Sequence, residues 1–154
     1  MYELLNNLVE ADELEQKVMI AVKKDAISAM NIIDELGSFK CEQTLHNESP
    51  TCKTVVIRCD IPSEHAKQAL AVRVTVIEAD VPGKPNPQLV HIIRCHINKV
   101  STSGERTFSL SDVQGTSETR PGRILPSFGD VRSNCTLDTL KDDLQKLIRY
   151  AKKH

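Results

Sequence analysis

Residues 53–61 read Lys-Thr-Val-Val-Ile-Arg-Cys-Asp-Ile, and residues 70–77 read Leu-Ala-Val-Arg-Val-Thr-Val-Ile. In the first stretch Val55, Ile57, Cys59 and Ile61 point one way and Thr54, Val56, Arg58 and Asp60 the other. In the second, which runs on to Asp80, Leu70, Val72, Val74 and Val76 alternate with Ala71, Arg73, Thr75 and Ile77. A period of two in β-branched residues is the pattern of a strand with one face buried. The same reading extends to Gln88–Val100, where Leu89, Ile93, Cys95 and Ile97 oppose Arg94, His96 and Asn98. A weaker strand, Phe39 to His46, precedes these and ends at the turn-forming run Asn47-Glu48-Ser49-Pro50. Pro82-Gly83-Lys84-Pro85-Asn86-Pro87 cannot continue a ladder and reads as a connection. Short connections between successive strands predict a four-stranded antiparallel meander within residues 38–100.

On either side of this sheet the apolar period changes to about 3.6. Residues 1–37 contain no proline and no glycine before Gly37, and Tyr2 to Leu36 is rich in Leu, Ala, Glu, Lys and Met, all helix formers. Leu4, Leu8, Ala11, Leu14 and Val18 fall three or four apart, and the stripe resumes as Ala26, Ala29, Met30, Ile33 and Leu36. Asp25 is placed to cap a second helix, so one bent helix and two in tandem both fit. Gly37 ends the pattern as a C-cap residue would. At the other end, residues 136–154 place Leu137, Leu140, Leu144, Leu147, Ile148 and Ala151 at helical spacing, with Thr136 as N-cap and Lys152-Lys153 at the C-terminal end of the dipole. Between sheet and helix, residues 101–135 are rich in Ser, Thr, Gly, Pro and Arg, show no sustained period and read as a long polar loop. Its apolar cluster, Arg123 to Phe128, is expected to pack back on the body.

The expected fold is α+β: a two-layer domain whose sheet is covered on one face by the N- and C-terminal helices. The expected core comprises Ile33, Leu36, Val55, Ile57, Val72, Val74, Ile93, Cys95, Leu140, Leu144 and Leu147.

Composition narrows the function classes. With 40% hydrophobic and 27% charged residues in 154, the chain is neither disordered nor membrane-spanning, and its apolar runs fall far short of the ~20 residues a bilayer needs. A net charge of −1 and 3% aromatic residues offer neither a long-range field nor a stacking platform, so no nucleic acid and no membrane are expected as partners. Five cysteines at irregular spacing, with no charged-then-apolar leader before Met1-Tyr2-Glu3, point to reduced thiols in an intracellular protein, cytoplasmic or nuclear. The triplets Asn47-Glu48-Ser49 and Asn134-Cys135-Thr136 match the glycosylation acceptor pattern by chance on that reading.

Chemistry-bearing motifs are sparse. Cys95-His96 sits in a strand, where neighbours face opposite sides, so the two cannot form a nucleophile–base dyad. Cys41, Cys52 and Cys59 lack paired ligand spacing and His46, His65 and His91 are scattered, so no metal site and no cofactor are expected. Phosphate-binding glycine loops, the Gly-x-Ser-x-Gly elbow and His-Glu-x-x-His are missing from the sequence. Two regions remain as candidates. Thr107, Ser109 and Ser111, between Arg106 and Asp112, are candidate phosphorylation sites in the polar loop. Leu4, Leu8, Ala11, Leu14 and Val18 form either a cover for the chain's own sheet or a partner-binding seam in a homo- or heterodimer.

The order of elements resembles two groups of small α+β interaction domains. One is the RWD family, with kinetochore subunits among its members, in which a helix precedes a four-stranded meander and closing helices; Pro121 to Pro126 resembles its proline-bounded loop, although the Tyr-Pro beginning is absent. The other is the kinase-associated C-terminal domain, whose first helix Ala29 to Leu36 resembles, whose middle strands Lys53–Ile61 and Leu70–Asp80 resemble, and whose closing helix Leu137–Ala151 resembles; basic residues do not cluster along this chain as they do in lipid-binding members. Both resemblances imply a non-catalytic protein-interaction or scaffold module, assembling through its N-terminal helix and sheet face. The alternative is a small enzyme with a Cys/His-based site.

Overall fold

A computed structural model describes the backbone of residues 2–114 and 134–154 and the side chains of residues 12–113 and 134–154. The described elements are α1 (Tyr2–Leu36), β1 (Lys40–Ser49), β2 (Cys52–Ile61), β3 (Ala66–Ala79), β4 (Gln88–Ser101), β5 (Gly104–Ser109), α2 (Leu110–Gln114), β6 (Asn134–Cys135) and α3 (Leu137–Lys153). The sheet is antiparallel in the order β1-β2-β3-β4-β5, and the two-residue β6 pairs β4 beside the end of β5. The class is α+β, as the hydrophobic pattern predicts.

The strand count is six and not four because two further strands, β5 and the two-residue β6, lie in the expected polar segment. Gly104, at φ +121°, turns the chain after Ser101, a conformation that side chains rarely adopt. The chain then pairs with β4 from Ser109 opposite His96 to Gly104 opposite Ser101. Only Phe108 of this strand is apolar, and it is 4% exposed, so the strand is held by one buried ring and its ladder, which hydrophobic periodicity cannot register. The first part of the expected 101–135 loop is thus strand and short helix, and the sheet reaches Ser109 instead of ending at Val100. The Arg123–Phe128 cluster lies outside the described residues.

α1 is a single helix of 35 residues, with no break at Asp25. Asp25 is 8% exposed and its carboxylate meets the Nδ1 of His91 in β4, so it pairs across the layers and caps nothing. Gly37 does not adopt the left-handed C-cap conformation; what it supplies is room, since a Cβ there would come within 3.1 Å of the Phe39 ring. Thr136 caps α3 as its sequence predicts, its Oγ1 accepting from the Thr139 amide at 3.2 Å while Thr139 reciprocates.

Both long helices lie on one face of the sheet. Val18, Val22, Ala26, Ala29 and Ile33 of α1 and Leu140, Leu144, Leu147 and Ala151 of α3 are buried with Val55, Ile57, Cys59, Leu70, Val72, Val74, Val76, Ile93, Cys95 and Ile97. Every expected core residue is in this cluster except Leu36, which is half-buried at its margin. Lys99 Nζ donates to the Ala151 carbonyl at 2.8 Å and Arg106 to that of His154 at 3.0 Å, satisfying helix-end acceptors from the strands beneath. The edge-to-face contact of Phe108 with Tyr150, centroids 5.7 Å apart, closes the same end.

A lysine is buried beneath α1 in this interface. The Lys53 side chain is 1% exposed, and its ammonium donates to Glu15 of α1 at 2.8 Å and to the Asn47 amide oxygen. Removing Glu15 leaves the cation with one neutral acceptor, so Glu15→Ala is expected to cost about 1.5–3 kcal/mol. Lys53→Met removes charge and partner demand together and is expected to cost less. Urea unfolding midpoints of the two variants check this order.

Candidate functional site

Residues opposed in an antiparallel ladder project from the same face, so the register fixes what the other face of the sheet carries. One row reads Glu42, Arg58, Ala71, His96 and Ser109 from β1 to β5. The next reads Thr44, Val56, Arg73, Arg94 and Asn134. No described helix packs here, because α1 and α3 share the opposite face.

Arg58, Arg73 and Arg94 therefore stand on three neighbouring strands, Arg73 directly opposite Arg94 and Arg58 on the diagonal. Like charges opposed across a ladder destabilise it. Among the described residues, none of the three guanidinium groups makes a hydrogen bond or an ion pair. Arg73, Arg94, Cys95, His96 and Ser109 line a depression of about 190 Å³. Burial, then Arg73, then Arg58 hold the His96 imidazole below its ordinary pKa of 6.5. Protonation of His96 thus opposes the fold: its contribution to stability is present above that value and is lost as pH falls toward the lower folded-state pKa. Asn134, in the Arg94 row, is 0% exposed, and both its amide oxygen and its amide nitrogen lack a hydrogen-bond partner. A buried amide without partners costs free energy.

The basic residues do cluster, contrary to the linear reading. Each arginine was legible as lying off the core face, but 15 residues separate Arg58 from Arg73 and 21 separate Arg73 from Arg94. Only the hairpin register joins them. The missing signal was the alignment of strands; it was in no single motif.

The other candidates are dispersed. Val18 is 0% exposed inside the chain's own core and Leu14 packs at its edge, so these two cover the sheet and present no seam. The side chains of Leu4, Leu8 and Ala11 lie outside the described residues. Thr107 is exposed on β5 and donates to Asn98 at 3.4 Å. Ser109 and Ser111 are half-buried, with hydroxyls 2.7 Å apart, and the Ser109 amide donates to Asp112 at 2.7 Å. These three residues sit on a strand and a helical turn, where a loop was expected.

Cys95 is buried and His96 exposed on opposite faces, as their spacing predicts. The Cys95 and Cys135 sulfurs lie 3.7 Å apart, and Cys41 faces Cys59 across β1 and β2. Burial pushes the Cys59 thiol up; burial and a hydrogen bond to Glu48 push Cys52 from 9.0 to about 11. Among the described residues no group of three or more His, Cys, Asp or Glu is placed to hold a metal ion. No described helix is long and apolar enough to cross a membrane. Comparison with protein-family models, with curated proteins and with solved structures finds no match.

Two outcomes follow from the titrating groups. Arg73→Gln removes the larger of the two repulsions on His96 and is expected to raise its pKa toward 6.5, read from the imidazole proton shifts against pH; an unmoved value would leave the lowering to burial and Arg58. For the thiols, a pKa near 11 leaves about a hundredfold less thiolate than 9.0 at neutral pH, so Cys52 is expected to alkylate with iodoacetamide far more slowly than free cysteine. Site-resolved mass spectrometry of the alkylated protein reads that rate.

Proposed function

We propose that this protein is a non-catalytic interaction module that seats a partner protein on the uncovered face of its sheet. The observation that carries the reading is the cluster of Arg58, Arg73 and Arg94, unpaired within the described fold, on the face that the helices leave free. A face needed only for solubility gains nothing from opposing like charges, whereas a partner of opposite charge turns that repulsion into affinity and register. The raised Cys52 and Cys59 thiols and the divergence of Cys95 from His96 favour this reading over a thiol-based enzyme. The RWD-like order of helix, meander and closing helix is consistent with a scaffold role, and an intracellular location with reduced thiols belongs to the same reading. The N-terminal turns of α1, carrying Leu4, Leu8 and Ala11 ahead of Val18, the first buried residue among those whose side chains are described, are its second contact, with a second copy or a related chain.

Site-specific photocrosslinking tests both contacts in cells of the source organism. A benzophenone side chain at Thr44, exposed on the open face, is expected to give a discrete adduct with another protein, and one at Leu8 an adduct with a helical partner. The same group at Lys23, exposed on α1, serves as control and is expected to give neither. Adducts confined to Lys23, or none at any position, would sink the reading.

A further inference from the structure

The open face carries a feature more specific than an interaction surface. We propose that the Arg58–Arg73–Arg94 cluster is a recognition site for a phosphorylated serine or threonine in an extended segment of the partner protein. This rests on the reading above and names what its open face recognises.

The charge count selects the group. Three arginines stand on neighbouring strands of one face, Arg73 and Arg94 lining the depression, and none has a carboxylate in ion-pairing reach. The nearest acids in register are Glu42, opposite Arg58, and Asp60, in the next row of the same face opposite Lys40, and neither forms an ion pair with the cluster. A carboxylate brings one negative charge and two acceptor oxygens. A phosphate monoester brings about −1.5 to −2 and three, enough for two guanidinium groups in the bidentate mode and a further donor. Further donors are at hand: His96 and Ser109 line the depression with Arg73 and Arg94. Asn134, paired with Arg94 in the ladder, is fully buried with its whole amide unsatisfied and lies outside the lining of the depression, so the case rests on the arginines and their neighbours.

Size and shape select the carrier. At about 190 Å³ the depression holds one such group, well below the 300–1,000 Å³ of sites that enclose small molecules. What carries the phosphate must lie along the strands. A nucleic acid finds no Phe, Tyr or Trp in the strand rows of this face to stack against, His96 being its one ring beside the arginines in the rows Glu42 to Ser109 and Thr44 to Asn134. A flat anionic bilayer would press Glu42 and Asp60, both exposed, against its own charge. An extended peptide meets neither obstacle.

Fluorescence anisotropy with the full chain tests the proposal, using degenerate peptide libraries with a fixed central phosphoserine, serine or glutamate. The phosphoserine library is expected to bind at least about tenfold more tightly than the other two. Arg73→Gln and Arg94→Gln are each expected to weaken it roughly ten- to hundredfold. Thermal midpoints and amide spectra establish that the variants are folded. On the wild-type chain, titration with the phosphoserine library is expected to shift the amides of Arg73, Arg94, His96, Ser109 and Asn134 and to raise the pKa of His96.

Equal binding of the three libraries, or binding unaffected by either arginine variant, overturns the proposal. So does inorganic phosphate binding as tightly as the phosphopeptides, which would make this a free-anion site. Tighter binding to phosphoinositide-containing vesicles or to a uridine oligonucleotide overturns it in favour of those ligands. An adduct at Thr44 without phosphopeptide binding leaves the interaction module standing and removes phosphate recognition alone.

Discussion

The arrangement depends on how α1 is fixed to the sheet. Its stripe of Val18, Val22, Ala26, Ala29 and Ile33 lies over β2 and β3, and burial of these side chains supplies the attraction. Apolar contact is tolerant of sliding, whereas charge is not. Lys53 of β2 reaches Glu15, and His91 of β4 meets Asp25, so two polar ties on strands either side of β3 hold the helix in one register. A shift of one turn would strand a buried ammonium, which is a far larger penalty than rearranging a few methyl groups. With α1 so placed, α3 fills the remaining width over β4 and β5, and its end is tied by Lys99, Arg106 and Phe108. The two long described helices are thereby committed to one face.

The second face follows from that commitment. A strand with one face in the core must turn every second residue to the other side, and that side carries exposed Thr44, Arg58 and Arg73 beside buried Thr54 and Ile92, with Thr54 and Thr75 bonded across the ladder at 2.8 Å. Arg73 and Arg94 break the usual economy of such a face, which alternates signs across strands. Their cost is borne by a meander whose helix-side core is continuous from β2 to β4, so local repulsion does not threaten the pairing. Local strain of this sort, tolerated because the surroundings over-determine the fold, is where function tends to reside.

Legibility in the sequence tracked how far each feature depends on its neighbours in the chain. The strands β2, β3 and β4 and the helix α3 announce themselves because one residue in two, or in three to four, must be apolar. β5 was missed because Glu105, Arg106 and Thr107 carry no such signal; its order comes from Gly104, Phe108 and an existing ladder edge. Asp25 looked like a cap because its true partner, His91, is 66 residues away. The arginine cluster was invisible for the same reason: its members are ordinary polar-face residues in three separate strands, and pairing alone makes them neighbours.

The whole-chain charge misled in a related way. A net charge of −1 governs the field far from the molecule, beyond the Debye length of about 10 Å at moderate salt. A bound group feels the nearest few side chains. Separation of the sheet into a covered and an uncovered face lets a nearly neutral chain present a cationic patch at contact distance, without the long-range field that draws in nucleic acid at large. On the proposed reading such a surface would discriminate late in an encounter, after diffusion has brought a partner into touch, so its selectivity would reside in how completely the partner satisfies Arg73 and Arg94 together. On the proposed reading, a partner supplying a single negative charge would neutralise at most one of the two opposed guanidinium groups and leave the like-charge repulsion across the ladder unrelieved, which is what would penalise the wrong ligand.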